Sequence, residues 1–423
     1  MTSPRTYASA AAVVLAMVGA VPLGSSARSP LAVDESSELP RVIAAIERGE
    51  FGGSPPERAL ALRGASNFFS PYPGGNGRAC ATCHSPGDGY SLSPRTVEER
   101  WQRLQAARRI DPRADDPLFR AIDADDGEND FASLRSRALI RVRVPLPQRV
   151  RIKDRPTADA VTVLRAVPAL SGLGLTAPYQ QDRAMATLED QVRAALVAHM
   201  QTSVPPTREF VDSVVQFERG LFANEGARRI ATALAANMPV PDVDPPLTAL
   251  ERRGKERFEF FCGDCHGGAA QVENRENRIF PPHDGSTNPH SINVGISNPL
   301  PAGLTSEIHG PAFDLPVQTY VVALPGGGTV ELMSSDPGTV LTDIEALETV
   351  GGNQVFNRFD IPQLRGINAT APYFHDHRAA TLADVMRHYQ RFFAFINEVR
   401  GFPLPKIPDE DVEPIIAYMR KAF

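Results

Sequence analysis

Cys80-Ala81-Thr82-Cys83-His84 and Cys262-Gly263-Asp264-Cys265-His266 are the two stretches that decide how this chain is read. Each sets two thiols three positions apart, with an imidazole next to the second. This is the C-x-x-C-H pattern of covalent c-type haem attachment. Each thiol can add to one haem vinyl group, and the adjacent imidazole then coordinates the iron from the proximal side. Paired C-x-x-C strings also occur as halves of a zinc site, as disulfides and as thioredoxin-like redox pairs. A zinc site would not need the histidine twice, and a thioredoxin motif needs one copy. The two motifs use all four cysteines of the chain. The sequence therefore predicts two covalently bound haem c groups, one on Cys80 and Cys83 with His84 as ligand, the other on Cys262 and Cys265 with His266.

The N-terminus agrees with that chemistry. Arg5 supplies a positive charge, Ala8 to Val21 is apolar, and Ser25-Ser26-Ala27 fits a small-x-small cleavage site. The apolar run is shorter than the roughly 20 residues that span a bilayer. A signal peptide over 1–27 is predicted, with export to the periplasm and no stable membrane insertion. The remaining length suffices for two medium domains. A formal net charge of −6 argues against nucleic acid as a partner. Abundant Gly and Pro, with few alternating β-branched runs, predict a mainly α chain with long loops.

The halves repeat one another. Leu60, Gly64 and Phe68 precede the first motif at helical spacing, as Leu250, Gly254 and Phe258 precede the second. Ser54 with Glu57, and Thr248 with Glu251, read as capping boxes. Further on, Val167-Pro168-Ala169-Leu170 and Thr176-Ala177-Pro178-Tyr179 align without gaps to Ile361-Pro362-Gln363-Leu364 and Thr370-Ala371-Pro372-Tyr373. Asp182 and Thr187-Leu188 match Asp376 and Thr381-Leu382 in the same register. The expected organisation is two tandem c-type cytochrome domains, 28–236 and 247–423, joined by a proline-rich linker over 237–246. A small irregular insertion over 111–159 is expected to cover one haem edge. Within it, Leu139 to Val144 alternates like a strand.

This order of motifs resembles the bacterial di-haem cytochrome c peroxidases. It is equally similar to their relatives of the MauG type, which oxidise amino acids within a partner protein. Pro362-Gln363-Leu364-Arg365 and Thr370-Ala371-Pro372-Tyr373-Phe374-His375-Asp376 carry the sharpest likeness, which spans nearly the whole mature chain. The resemblance implies a C-terminal haem that takes electrons from a small donor protein, a cytochrome c or a cupredoxin. It implies an N-terminal haem, open on its distal side, that reacts with hydrogen peroxide. It also implies a homodimer, on which composition is silent. The chemistry asks for such a division independently. Peroxide reduction needs two electrons and a donor delivers one at a time, so one iron must accept the oxidant while another stores charge.

The resemblance also assigns distal residues. It places Gln191 beside the peroxide site and, ten residues later, a glutamate that moves the proton between peroxide oxygens. Here that second place holds Gln201, which carries no proton. His199 is two residues away and can substitute, since imidazole titrates near neutrality. For the second haem the distal position falls on Tyr389, with Met386 as a rival almost one turn earlier. Arg365 suits a haem propionate. Gln181 stands where the family has a tryptophan between the haems, and Trp101 is read as packing. The family's inter-domain calcium would use the region of Thr370 and Pro372, but Ala166 replaces its asparagine. His375 and His377 read as an exposed metal pair or as turn residues, and Asp123 to Asp130 as a solvated acidic loop. Three functions fit: a peroxidase, an enzyme that oxidises side chains of a partner protein, and an electron carrier with both haems six-coordinate.

Overall fold

The computed structural model describes residues 38–267, 291–300, 304, 315–342, 356–400 and 404–423. The signal-peptide segment, His283, His290 and His309 lie outside them. The fold is mainly helical. In chain order the helices are α1 (Leu39–Glu47), α2 (Pro55–Phe68), α3 (Pro94–Arg108), α4 (Ala132–Arg137), α5 (Leu188–Ala198), α6 (Arg208–Arg219) and α7 (Glu225–Ala235). They continue with α8 (Ala249–Phe261), α9 (Leu382–Arg400) and α10 (Asp409–Ala422).

The helix starts follow from local chemistry. At α8 the box is reciprocal: Thr248 N–H donates to Glu251 at 2.7 Å, and Glu251 N–H donates to the Thr248 hydroxyl at 3.3 Å. At α2 both Ser54 N–H and its hydroxyl donate to Glu57, at 2.6 and 2.7 Å. These bonds favour the charged carboxylates and hold both glutamates below the ordinary value. Helix α10 carries Asp409, Glu410 and Asp411 in its first turn and Arg420 and Lys421 in its last, matching the helix dipole at both ends.

The repeat is a repeat of packing. Helix α2 crosses α6 so closely that a Cβ on Gly64 would lie 1.9 Å from Ser213 O and 2.8 Å from Phe217 Cβ. Helix α8 crosses α10 in the same way, with Gly254 facing Pro414 O at 1.9 Å and Tyr418 Cβ at 2.9 Å. Only glycine permits either crossing. Phe68 packs on Phe217, and Phe258 on Tyr418, with ring centroids 5.0 and 5.8 Å apart. Leu250, expected on the same face, is 47% exposed. Two turns of helix rotate it away from the contact that Gly254 and Phe258 make.

A second repeated unit follows the first haem-type motif. Gly172 and Gly366 have φ of 82° and 87°, Gln180 and Phe374 of 73° and 71°, and Arg183 and His377 of 59° and 57°. Short 3-10 turns at Leu173–Leu175 and Ile367–Ala369, and isolated bridges Tyr179–Met185 and Tyr373–Ala379, keep the same register.

Among the described residues, three small antiparallel sheets lie between the repeated units. Strand β1 (Leu139–Pro145) pairs with β3 (Ala160–Ala166), Leu139 opposite Ala166. Strand β2 (Val150–Ile152) joins β5 (Gln318–Ala323) and β6 (Thr329–Ser334) in the order β2-β5-β6. Strand β4 (Ser291–Ile292) pairs with β7 (Phe359–Asp360). The Leu139 to Val144 strand is present as expected. The insertion is less irregular than expected: it forms strands, pairs with the second half, and contributes to two apolar cores, one shared with β5 and one with α3.

Candidate functional site

The two motifs fold as the same turn. Cys83 and His84 N–H both donate to Cys80 O, at 3.2 and 3.0 Å, and Cys265 and His266 N–H both donate to Cys262 O, at 3.1 and 2.8 Å. Both motifs hold their thiols in apolar surroundings. Cys80 packs against the core formed by α1, α2, α5 and α6, Cys83 against a second core that includes Leu92, Leu118 and Ile140, and Cys262 and Cys265 against the core of α8 to α10. Burial pushes the thiols of Cys262 and Cys265 up to about 12.

His84 is fixed by its own loop. Its Nδ1 donates to Tyr90 O at 2.8 Å, which leaves Nε2 as the free lone-pair nitrogen. Burial pushes its pKa down to about 4, with a smaller push from His199. The turn itself is pinned from behind. Ala79 N–H donates to the Thr82 hydroxyl at 2.9 Å, and Arg100 donates to Thr82 O at 2.9 Å while pairing with buried Asp116.

Arg78, two residues ahead of Cys80, donates to the His199 carbonyl at 3.4 Å, which places His199 near the first motif. His199 closes the C-terminal end of α5, and Asn76 donates to its backbone carbonyl at 3.0 Å. Burial holds its imidazole below the ordinary value, with Asp123 opposing and Arg78 assisting. Arg78 and Asp123 form a buried ion pair at 2.7 Å. Nothing in the sequence marks this pair, since its members lie far apart in the chain. Asp123 is thus fully buried, contrary to the solvated-loop expectation for Asp123 to Asp130, and it also accepts from Arg141 N–H at 2.7 Å. The rest of that loop satisfies itself: Asp126 accepts from the backbones of Glu128, Asn129 and Asp130.

Gln191 lies on α5 with His199, and its buried Oε1 has no hydrogen-bond partner. Gln201 shares the Asn76 side-chain amide with the His199 carbonyl. It is exposed, has φ of 52°, and its Oε1 is taken by Asn76 at 3.0 Å. Of the three residues assigned to peroxide chemistry, the structure brings His199 towards the first motif and turns Gln201 away.

Around the second motif the setting is aromatic. Tyr389, on α9, is electrostatically coupled to Cys265 and Cys262, and burial, the larger effect, holds its phenol above the ordinary value. Its ring lies 6.2 Å from Phe374 and 6.1 Å from Phe393. Met386 is buried in the same core. His388 is fully buried, with Nε2 at 2.7 Å from Val294 O, which commits that nitrogen to a structural bond. Arg365 is buried over the Phe423 ring and its Nε has no partner. An unpaired, buried guanidinium N–H fits a carboxylate such as a haem propionate.

The segment joining the repeats is dense in charge. Arg165 pairs with Asp182 at 2.5 Å and with Asp336 at 2.6 Å, all three buried. Burial opposes the charged form of Asp336, but Arg165 prevails and holds its pKa low. Gln181 donates to Ala166 O at 3.2 Å, and its Oε1 is unpartnered. His375 and His377 are buried at this junction rather than exposed. His377 Nδ1 donates to Arg137 O at 2.7 Å, and His375 stacks on Phe359 at 4.0 Å. Among the described residues no cluster of three or more His, Cys, Asp or Glu side chains could hold a metal ion. Ala166 presents only a methyl where the resemblance has a calcium-binding asparagine, and its N–H donates to His375 O at 2.6 Å. Trp101 packs against Phe119 and Phe131 beneath Arg135.

No protein-family model and no curated protein matches the chain. Similar solved structures include MauG-like and di-haem peroxidase proteins. One is a MauG-like protein associated with microbial copper homeostasis, 15% identical, covering 86% of this chain and 88% of its own, TM-score 0.46. Another is the di-haem peroxidase BthA from Burkholderia thailandensis, 16% identical, covering 88% and 87%, TM-score 0.45. A third is the hydrazine synthase of Kuenenia stuttgartiensis, 14% identical, covering 99% and 100%, TM-score 0.44. Identities and TM-scores this low leave function to be read from the residues. Among the described residues no helix is long and apolar enough to cross a membrane.

Proposed function

We propose that the chain is a periplasmic di-haem oxidoreductase that reduces hydrogen peroxide with electrons from a small redox protein. In this reading two tandem c-type cytochrome domains, 28–236 and 247–423, each hold one covalently bound haem c. The observation that supports it is the unlike surroundings of two like turns: the imidazole of His199, its backbone held by Arg78 just ahead of Cys80, and the phenol of Tyr389, packed in the core that holds Cys262 and Cys265. When bound, the haems supply the one-electron redox chemistry and the iron at which peroxide is reduced.

The protein's own residues do the rest. Hydrogen peroxide takes up two electrons and two protons to give two waters. His199, kept neutral by burial, can accept a proton at a ring nitrogen from one peroxide oxygen and return it to the other. Gln191 offers its unpartnered Oε1 as a hydrogen-bond acceptor to the bound oxidant. Tyr389 would serve as an oxygen donor to the second haem, and a hard donor would lower its potential relative to a thioether. Arg365 anchors a propionate. Gln181 and Ala166, joined by a hydrogen bond of 3.2 Å, would lie between the two haem-bearing halves.

Tyr389 also supports a second reading, MauG-like oxidation of side chains in a partner protein. Direct capping of the first iron by His199 would instead make the chain an electron carrier. Electron paramagnetic resonance of the ferric protein, with stopped-flow absorption after peroxide addition, tests all three. The proposal requires one high-spin haem whose bands change with peroxide. Two low-spin haems that ignore peroxide would remove both enzyme readings.

A further inference from the structure

The segment from Arg137 to Arg155 takes no part in the chemistry above. Seven of its nineteen residues are Arg or Lys and one, Asp154, is acidic, in a chain of net charge −6. Folding neutralises some of these cations. Arg143 pairs with Asp159 at 2.8 Å and Lys153 with Glu331 at 2.7 Å. Arg141, half-buried on β1, makes no ion pair among the described residues.

Beside Arg141 lies a cleft of about 260 Å³, between the β1–β3 pair and the start of β5. Leu164, the cross-strand partner of Arg141, and Leu315 form its apolar floor. Arg155 also lines it, its Nη2 donating to Gln318 Oε1 at 3.2 Å. Thr162 lies at the rim. No described carboxylate lines the cleft, and that of Asp336, next to lining residue Ser335, is consumed by Arg165. Two guanidinium forks over an apolar floor, with no acid between them, form a recognition surface for a planar or tetrahedral oxyanion. Ligand pockets in general combine an apolar lining with a few convergent polar groups.

We propose that this cleft binds a small organic oxyanion, its carboxylate or phosphate head on Arg141 and Arg155 and its apolar body on Leu164 and Leu315. The site is separate from both motifs, so the inference stands independently of the peroxidase reading. Calorimetric titration of the purified full-length protein, at constant ionic strength in chloride, tests it with hexanoate in one arm and inorganic phosphate in the other. Saturable binding of at least one is expected, and the stronger isotherm identifies the head group. Arg141→Ala and Thr162→Glu, which sets a carboxylate at the rim, should each weaken that binding at least tenfold with the absorption spectrum unchanged. Absence of saturable binding in both arms, or variants that bind as tightly as the parent, overturns the proposal.

Discussion

The first and second motifs sit on one scaffold and face different chemistry. Each is preceded by a helix whose glycine, Gly64 or Gly254, lets a later helix cross at backbone distance. Each turns through the same pair of hydrogen bonds to its first cysteine. What lies around them diverges. Near His84 is a half-buried imidazole, that of His199, whose pKa burial lowers, with an Arg78–Asp123 pair beside it. Near Cys262 and Cys265 is a phenol within a packed aromatic group. Attachment and packing are therefore common property of the two halves. Reactivity resides where they differ, and each half can be altered to test that division.

The largest effect should come from removing an attachment point. Cys80→Ala with Cys83→Ala should halve the haem content in a pyridine haemochrome assay and lower peroxide turnover by on the order of 10³-fold or more, since the cofactor carries the chemistry. Cys262→Ala with Cys265→Ala should halve the haem equally, yet leave a haem whose spectrum still responds to peroxide. If the second pair, and not the first, abolishes that response, the roles of the two halves are reversed.

Next is the proton carrier. His199→Ala should slow peroxide cleavage by about 10²–10⁴-fold, the usual contribution of a positioned acid–base group. Gln201→Ala should leave the rate unchanged, because its side chain is exposed and held by Asn76. Single-turnover stopped-flow separates the two. Equal rates in His199→Ala and the parent would return His199 to a packing role.

Much of this was legible in the sequence because it is local. The C-x-x-C-H strings, the capping residues of α2 and α8, the Leu139 to Val144 strand and the gapless match from Val167 to Asp182 all express short-range geometry. What was not legible depends on distant partners. The burial of Asp123 is set by Arg78, forty-five positions earlier. His375 and His377 look like surface ligands until Phe359 and the carbonyl of Arg137 enclose them. The pairing of β2 with β5 joins residues some 170 apart, which no periodicity announces.

The crossings themselves should break alike. Gly64→Ala and Gly254→Ala each drive a methyl into a backbone carbonyl, at Ser213 and Pro414 respectively. A cost of about 2–3 kcal/mol or more is expected for each, as for overpacked cores. Chemical denaturation monitored by far-UV circular dichroism reads it. A large loss in one and none in the other would show that the two crossings are not equivalent.

The smallest effect separates the crossing helices one residue further on. The contacts of Gly64 and Gly254 equate Phe217 with Tyr418, and therefore Glu218 with Met419. Both are buried, but Glu218 is a carboxyl whose Oε2 has no partner, and burial pushes its pKa from the ordinary 4.5 up to about 8. The folded chain thus keeps a proton that the unfolded chain releases. The contribution of Glu218 to stability is fully present below about pH 4.5, falls as pH rises towards 8, and is lost above it, by on the order of 2–4 kcal/mol. Glu218→Gln stays neutral at every pH and should flatten that slope between pH 5 and 9. Met419→Glu should add a slope of the same sign to the second half. Denaturation midpoints across this range give the answer directly, and parallel curves for the parent and Glu218→Gln would mean that the carboxyl finds a partner in the folded protein.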